Sequence, residues 1–336
     1  MTTSGSVDFS VSRDDIILAA LQDLGVAAGV DTSSSASFTS HSTMMAKKLN
    51  MLVKNWAGQA DFSNGIKMWS RKTAYLFLQK GQAVYTLGPT VSATSGTDKW
   101  ASSYVSTTIA ADEASGQTVL TLTDGSIFAA NDRIGIELDT GYLHWTTVSG
   151  TPTGNDVTVA VALTSAASAG RRVFGYSTTN QGRRPLDIYE GCILLRDTDG
   201  NDTPVDVISR TQYEGITSKG TDAQPTQAHY SATLLDGTLY LDSEPTSSTY
   251  VLRIVYISTI EDFDASADTP DYDQNWYLPL VLGLEEQTAM AFGRTDLIPT
   301  IRMLLYGDNR QIGALTIAKN ANPEKSVRYY ECDAPT

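Results

Sequence analysis

Cysteine and histidine are scarce in this sequence, with 2 Cys and 3 His among 336 residues. Cys192, Cys332, His41, His144 and His229 are scattered, and no two fall at a metal-ligand spacing, which argues against a structural zinc site. Two distant cysteines do not make a secreted disulfide scaffold either, so a reducing compartment is the simpler reading. Charge is sparse at 18 %, below the quarter typical of globular chains, with Ser, Thr and Gly in its place. Positive charge is scarcer still: 24 Lys+Arg stand against 38 Asp+Glu, a formal charge of −14. Such a surface repels phosphate backbones and anionic membranes, and it argues against a nucleic-acid grip built on phosphate neutralisation. No apolar run approaches the roughly 18 residues of a membrane span. Residues 1–10 are polar, without a charged stretch leading into an apolar one, so no signal peptide is expected.

The motifs of common enzyme chemistry are also missing. There is no Gly-x-Ser-x-Gly elbow and no glycine-rich phosphate loop of the Walker or dinucleotide type. His144 beside Trp145, and His229 beside Tyr230, read as packing residues. Asp197-x-Asp199-Gly-Asn-Asp202 begins like a calcium loop. It lacks the Gly at the sixth place and the Glu at the twelfth, and reads as an acidic hairpin turn. The adjacent carboxylates Asp14-Asp15 and Glu285-Glu286 would point to different helix faces and read as solvated. No catalytic residue, cofactor-binding residue or metal ligand is therefore assigned. No cofactor is expected, and the chain reads as non-enzymatic.

The chain does carry amphipathic helices at both ends. Ser12 with Asp15 three residues on is a capping-box start. Ile16, Ile17, Ala20, Leu21 and Leu24 then recur at helical spacing up to Gly25. After a Ser/Thr-rich loop over 31–42, a second helix is expected over 43–59, with Met45, Leu49, Leu52, Val53 and Trp56 on one face. Near the other end, Asp271 to Asn275 offer caps for a helix ending near Gly293, with Trp276, Tyr277, Leu280, Leu284, Thr288 and Ala291 on one face. Pro299 suits the first turn of a final helix reaching Asn320. The expected core of the helical part is Ile17, Leu21, Leu24, Leu49, Leu52, Trp56, Trp276, Leu280 and Leu284.

Between the helices the period falls to two. The runs 72–79 and 82–87, around Lys80-Gly81, read as a hairpin. Residues 90–182 change composition, with Thr, Ser, Ala, Val and Gly dominant. Six short strands there, at 104–109, 118–122, 133–138, 142–148, 156–163 and 171–176, predict an inserted small β-sandwich or barrel. Strands follow at 187–196 and 203–208, then a helical turn at 211–216. A hairpin over 228–241 around Asp236-Gly237 and a long strand at 250–258 complete the region. The doublets Arg171-Arg172 and Arg183-Arg184 read as surface charge or a partner contact. The polar tail 321–336 holds Lys325, Arg328, Tyr329 and Tyr330, residue types enriched at interfaces, and needs a partner to order it.

The fold class expected is thus α+β. Residues 1–66 and 271–320 form an α-helical bundle, 67–89 and 183–270 a β-rich region, 90–182 the insert, and 321–336 the tail.

These elements, in this order, resemble a known family. The opening Asp14-Asp15-Ile-Ile-Leu-Ala-Ala-Leu-Gln-Asp-Leu-Gly-Val26, then a second helix ending in Lys54-Asn-Trp56, resembles the start of the head-to-tail connector adaptors of short-tailed phages, the head-completion or tail tubular protein A-like group. Arg184-Pro-Leu-Asp-Ile188, Ser209-Arg-Thr-Gln-Tyr-Glu-Gly-Ile216, Gln224-Pro-Thr226, Leu239-Tyr-Leu241 and Tyr250-Val-Leu-Arg-Ile-Val-Tyr256 look like its β-region. Gln274-Asn-Trp-Tyr-Leu-Pro-Leu-Val-Leu-Gly-Leu284 resembles its returning helix. The insert departs from the simpler members. The resemblance implies a structural virion protein, made in the host cytoplasm and built into the capsid–tail junction. It would form a dodecameric ring under the portal protein, with a tail nozzle or tail tube protein below. DNA would only pass through its channel, no membrane would be involved, and packaged DNA would be retained. Lys325, Arg328, Tyr329 and Tyr330 would meet the portal. The alternative is a carbohydrate- or receptor-binding, fibre-attachment module, with Trp100, Tyr104, Tyr142 and Trp145 as stacking faces. A hydrolase would need a nucleophile–base pair that the sequence does not offer.

Overall fold

A computed structural model describes residues 9–27, 36–58, 71–88, 99–197, 199–234, 236–258, 261–269, 272, 274–308 and 310–321. The fold is mixed α+β. The α-helices among these residues are α1 (Arg13–Asp23), α2 (Ala36–Gly58), α3 (Arg210–Glu214), α4 (Tyr277–Thr288), α5 (Ile298–Tyr306) and α6 (Ala314–Ala321). The described residues divide into two compact units, one from residues before 71 and after 258, the other spanning 71–258.

The first unit is helical. Ser12 Oγ accepts the Asp15 amide at 3.2 Å, and the Asp15 carboxylate accepts the Ser12 amide at 2.9 Å. Both N-terminal donors are thus satisfied, and α1 starts where its sequence predicts. Gly25, at φ +73°, takes the left-handed turn beyond the helix end. In contrast, α2 starts at Ala36, seven residues before the expected Thr43. Polar Ser and Thr residues favour loops locally, but Phe38 is buried in the core here and tertiary packing overrides that preference.

One cluster of buried side chains organises this unit. It contains Ile17, Leu21 and Leu24 of α1, Leu49, Leu52 and Trp56 of α2, and Trp276, Leu280 and Leu284 around α4. The approach of α2 to α4 depends on Gly283. A Cβ there would stand 2.8 Å from Leu52 Cδ2 and 2.9 Å from Trp56 Cζ2.

Two expectations at the C-terminal end need correction. The helix from Tyr277 stops at Thr288, short of Gly293. The Thr288 hydroxyl turns back onto the Leu284 carbonyl at 2.7 Å, and the turns that follow bring Phe292 edge-on to His41 at 5.1 Å. The single helix expected up to Asn320 is two, α5 and α6. Gly307 (φ +86°) breaks it, and the Asp308 carboxylate accepts the Arg310 and Gln311 amides at 2.8 Å. This local carboxylate turn competes successfully with continued helix.

The described residues of the second unit form fourteen strands: β1 (Arg71–Phe77), β2 (Val84–Leu87), β3 (Trp100–Ala101), β4 (Val105–Thr108), β5 (Val119–Thr121), β6 (Arg133–Glu137), β7 (Leu143–Thr147), β8 (Asp156–Thr158), β9 (Arg172–Tyr176), β10 (Pro185–Arg196), β11 (Asp202–Val207), β12 (Gln227–Ala232), β13 (Gly237–Leu241) and β14 (Val251–Ser258). Eight of them form one sheet in the order β2-β13-β12-β11-β10-β14-β1-β3. The hairpin expected between β1 and β2 is therefore absent. β1 pairs with β14 and β3, while β2 pairs with β13 at the other end of the sheet.

That arrangement forces curvature. In a flat sheet β1 and β2 would lie about 29 Å apart, from a spacing of roughly 4.8 Å per strand. The connection over 78–83 can stretch at most about 25 Å at roughly 3.5 Å per residue. The sheet must curl, and it is nearly closed: the Trp100 indole N–H on β3 reaches the Gly88 carbonyl just past β2 at 3.4 Å. Leu76, Leu87, Leu239, Leu241, Leu252, Ile254 and Tyr256 belong to the core cluster of this sheet, following the period-2 alternation of their strands.

The turn between β12 and β13 also sits earlier than expected. Ala232 pairs with Gly237 and the Thr233 amide bonds the Asp236 carbonyl at 2.8 Å, so Gly237 lies within the strand. A side chain at Gly237 would collide with Tyr230, whose phenol donates to the Pro185 carbonyl at 2.6 Å.

All six strands expected over 104–176 are present. β4-β9-β6-β7 form a four-stranded sheet and β5-β8 a smaller one, closing on a core of Ile109, Leu120, Ile134, Ile136, Val157 and Val173. Trp100–Ala101, inside the same stretch of sequence, is the edge strand of the larger sheet. A second cluster joins the two: Phe77 and Val251 pack with Leu143, Phe174 and Tyr176. The Gln79 side-chain amide donates to the Leu143 carbonyl at 3.2 Å and accepts its N–H at 3.1 Å, imitating a strand at the edge of β7.

Candidate interaction surfaces

Among its described residues the helical unit exposes several large apolar side chains, Met51 on α2, Met290 after α4 and Ile317 on α6 among them, and others lie beside α4. At the C-terminal end of α4, α5 buries Ile301 and Leu305 yet leaves Met303, Leu304 and Tyr306 on the surface, with Ile312 in the following turn. A helix that is apolar on both sides has more to bury than its own subunit covers. Arg302 and Tyr306 are fixed against α4 by Glu286, at 2.7 and 3.0 Å. Burial, and then the Glu286 bond, push the Tyr306 phenol up to about 12.

At the N-terminal end of α4, Phe9 and Leu278 are exposed, and Phe9 lies 6.0 Å from the Tyr277 ring. Acidic residues border this place. The Arg13 amide donates to the Asp268 carbonyl at 2.7 Å and its guanidinium to the Asp264 carbonyl at 3.0 Å, which ties the 261–269 segment to the start of α1. Glu261, Asp262, Asp264 and Asp268 line an open groove of about 440 Å³ along that segment.

Glu285 is not solvated as its sequence context predicts. It is 3 % exposed, and burial, then the charge and hydrogen bond of Asp23, raise its carboxyl to about 8. Its neighbour Glu286 does reach the surface, so the two point apart as expected, but one of them points inward. An adjacent pair of carboxylates gives no sequence signal for which one is buried.

The aromatic residues considered as sugar-stacking faces are mostly enclosed. Trp100 is fully buried, with Gly182 so close that a Cβ there would stand 2.5 Å from its ring. Trp145 lies over Gly135 at a comparable 2.8 Å and packs on Phe77 and Tyr176. Tyr104 meets Tyr75 and Phe77 edge-on. Tyr142 alone of these four is exposed, at 50 %.

The basic doublets are largely engaged internally. Arg171 bonds Glu137 at 2.8 Å and Asp139 at 3.0 Å, and Arg184 donates to the Thr233 carbonyl at 2.6 Å. The Asp197 carboxylate accepts the Asp199 and Asn201 amides, as an acidic hairpin turn should, and these bonds, that of Asn201 first, lower its pKa. His144 lies in strand β7, with Nε2 3.3 Å from the Val161 carbonyl, and the His229 ring lies beside those of Tyr213 and Tyr240, which also touch each other. Among the described residues no group of three or more His, Cys, Asp or Glu is arranged to hold a metal ion. Nor is any described helix long and apolar enough to cross a membrane. Lys325, Arg328, Tyr329 and Tyr330 lie outside the described residues.

The exposed apolar residues of α5 are not among the candidates expected from the sequence. Their signal was present, since Ile298, Pro299, Ile301, Met303, Leu304, Leu305 and Tyr306 exceed the single stripe of an ordinary surface helix. Comparison with known proteins adds no identification: no family profile matches the chain, and no curated protein is significantly similar to it.

Proposed function

We propose that this chain is a structural virion component, a head-to-tail adaptor that assembles as a ring beneath the portal, extends the DNA channel and links capsid to tail. The observation that carries this reading is the helical unit itself. Segments from both ends of the chain close on one core around Trp276, yet that unit leaves α5 and the start of α4 with uncovered apolar side chains. Surfaces of that kind belong to subunits that complete their burial against neighbours. The formal charge of −14 suits a conduit along which DNA must slide, because few phosphate contacts mean little retention by the wall. In this reading the helices form a bundle and the inserted sheet decorates the ring. The tail carrying Lys325, Arg328, Tyr329 and Tyr330 reaches the portal, and the nozzle or tail tube attaches on the opposite side.

The carbohydrate-binding alternative depends on open aromatic faces. Trp100 and Trp145 lie against glycine backbone, which weighs against it.

The test is the mass of the complex formed with the phage's portal ring, measured by light scattering after size exclusion. Full-length chain should form a large stoichiometric complex, and chain stopped at Asn320 should not. Absence of binding by either form would sink the adaptor reading.

A further inference from the structure

Helices α1 and α4 run side by side in the same direction. Phe9, ahead of α1, meets Tyr277 at the start of α4, and Asp23 at the end of α1 meets Glu285 in the last turn of α4. Their C-terminal ends, the negative poles of the two helix dipoles, therefore lie together. Neither helix has a basic residue in its last turn to offset that pole. Each contributes a carboxyl group instead, which a helix C-terminus disfavours.

Arg294, in the turns after α4, offsets only part of this. Its guanidinium donates to the Leu24 carbonyl at 2.6 Å and lies 3.4 Å from the Asp296 carboxylate, so its charge is matched there. Asp23 makes no ion pair with any described residue, and its charge is the only one among them that bears on Glu285. Glu285 is buried, and its Oε1 has no hydrogen-bond partner. An enclosed oxygen left unpaired is costly, and an ion or water that satisfies it is favoured. Glu285 closes this place from within, and exposed Asp23 opens it to solvent.

From this we propose that Glu285 and Asp23 hold one hard divalent cation at the joined ends of α1 and α4, with calcium as its probe. Such cations take oxygen ligands, and calcium accepts the irregular shells that carboxylates and water provide. The unpartnered Oε1 of Glu285 is one ligand, Asp23 supplies the second carboxylate, and water from its exposed side fills the shell. Two carboxylates repel each other, and a dication between them turns that repulsion into attraction. The cation would pin α1 to α4. Two carboxylates are few for such an ion, so binding belongs in the weak range, with Kd about 1 mM. The site lies inside one helical unit and neither needs nor implies assembly into a ring.

The experiment uses full-length chain stripped of metal with a chelator. Thermal unfolding at pH 9 is followed in about 10 mM calcium chloride and in sodium chloride of equal ionic strength. At about ten times Kd, calcium should raise the melting temperature by about 3 °C. Glu285→Gln and Asp23→Asn keep the shapes of their side chains, and circular dichroism checks that each variant folds. Each should lose the shift. Amide exchange in the last turn of α1 should slow with calcium in wild type and stay unchanged in Glu285→Gln. Asp199→Asn, in the acidic turn of the other unit, should keep the shift. Its loss there too would mean diffuse screening of the net charge and would overturn the site. A wild-type chain without the shift, or a shift that survives in either Glu285→Gln or Asp23→Asn, overturns it as well. Binding to the portal ring is measured without calcium, so failure of the adaptor reading is not mistaken for failure of this site.

Discussion

The carboxyl of Glu285 meets Asp23 across the contact of α4 with α1, inside the helical unit, and one of its oxygens has no hydrogen-bond partner. Burial comes first and the Asp23 charge second in holding the proton on Glu285 to about 8. The folded chain therefore binds more protons than the unfolded one between the ordinary value of 4.5 and about 8. Stability must fall as pH rises through that window and level off above it, by up to a few kcal/mol. Glu285→Gln should remove this slope, leaving the variant clearly more stable than wild type at pH 9 and little changed at pH 4.5. Urea midpoints of both chains at several pH values measure it. Parallel curves would mean that Glu285 is ionised or solvated.

Gly283 lets Trp56 lie directly on α4. Valine there would place a side chain within 3 Å of Leu52 and Trp56 and force the two helices apart. The expected cost is about 1–3 kcal/mol by overpacking, larger than any gain from replacing a helical glycine. Chemical denaturation of Gly283→Val should show it, and an unchanged midpoint would contradict the close packing.

Gln79 adds a polar bridge to the apolar cluster that joins the large sheet and the inserted strands. Gln79→Glu keeps the shape but replaces the donor to the Leu143 carbonyl with a carboxylate oxygen. A lost bond and a facing pair of acceptors should cost about 1–3 kcal/mol. Amide exchange at Leu143 and along β7 should accelerate, with β12 and β13 unaffected. Uniform protection across both regions would show that the bridge contributes nothing.

Trp100 and Trp145 have ring faces covered by Gly182 and Gly135. Mono- and oligosaccharides at millimolar concentration should leave the tryptophan fluorescence unchanged. Saturable quenching that disappears in Trp145→Phe would revive the carbohydrate-binding reading.

Some of this architecture was legible residue by residue. The Ser12–Asp15 capping box, the six strands of the insert and the acidic turn at Asp197 depend on neighbours within a few positions, and the sequence displays those neighbours. The pairing of β1 and β2 was not legible. Lys80-Gly81 does form a turn, with Gly81 at φ +74°, but it connects opposite ends of a curled sheet rather than two paired strands. A turn signal fixes a change of direction and says nothing about which strand lies alongside.

Short-range chemistry along the chain sets most of the local elements, the apolar faces that had to be covered and the net charge. Long-range packing sets which strands pair, that Phe38 carries α2 into a Ser/Thr-rich stretch, that Glu285 turns inward and that Met303 and Leu304 stay outside. The physical reason is range: caps, turns and periodicity act over a few residues. Strand order and burial follow instead from contacts between segments far apart in the chain, whose energies appear only when those segments meet.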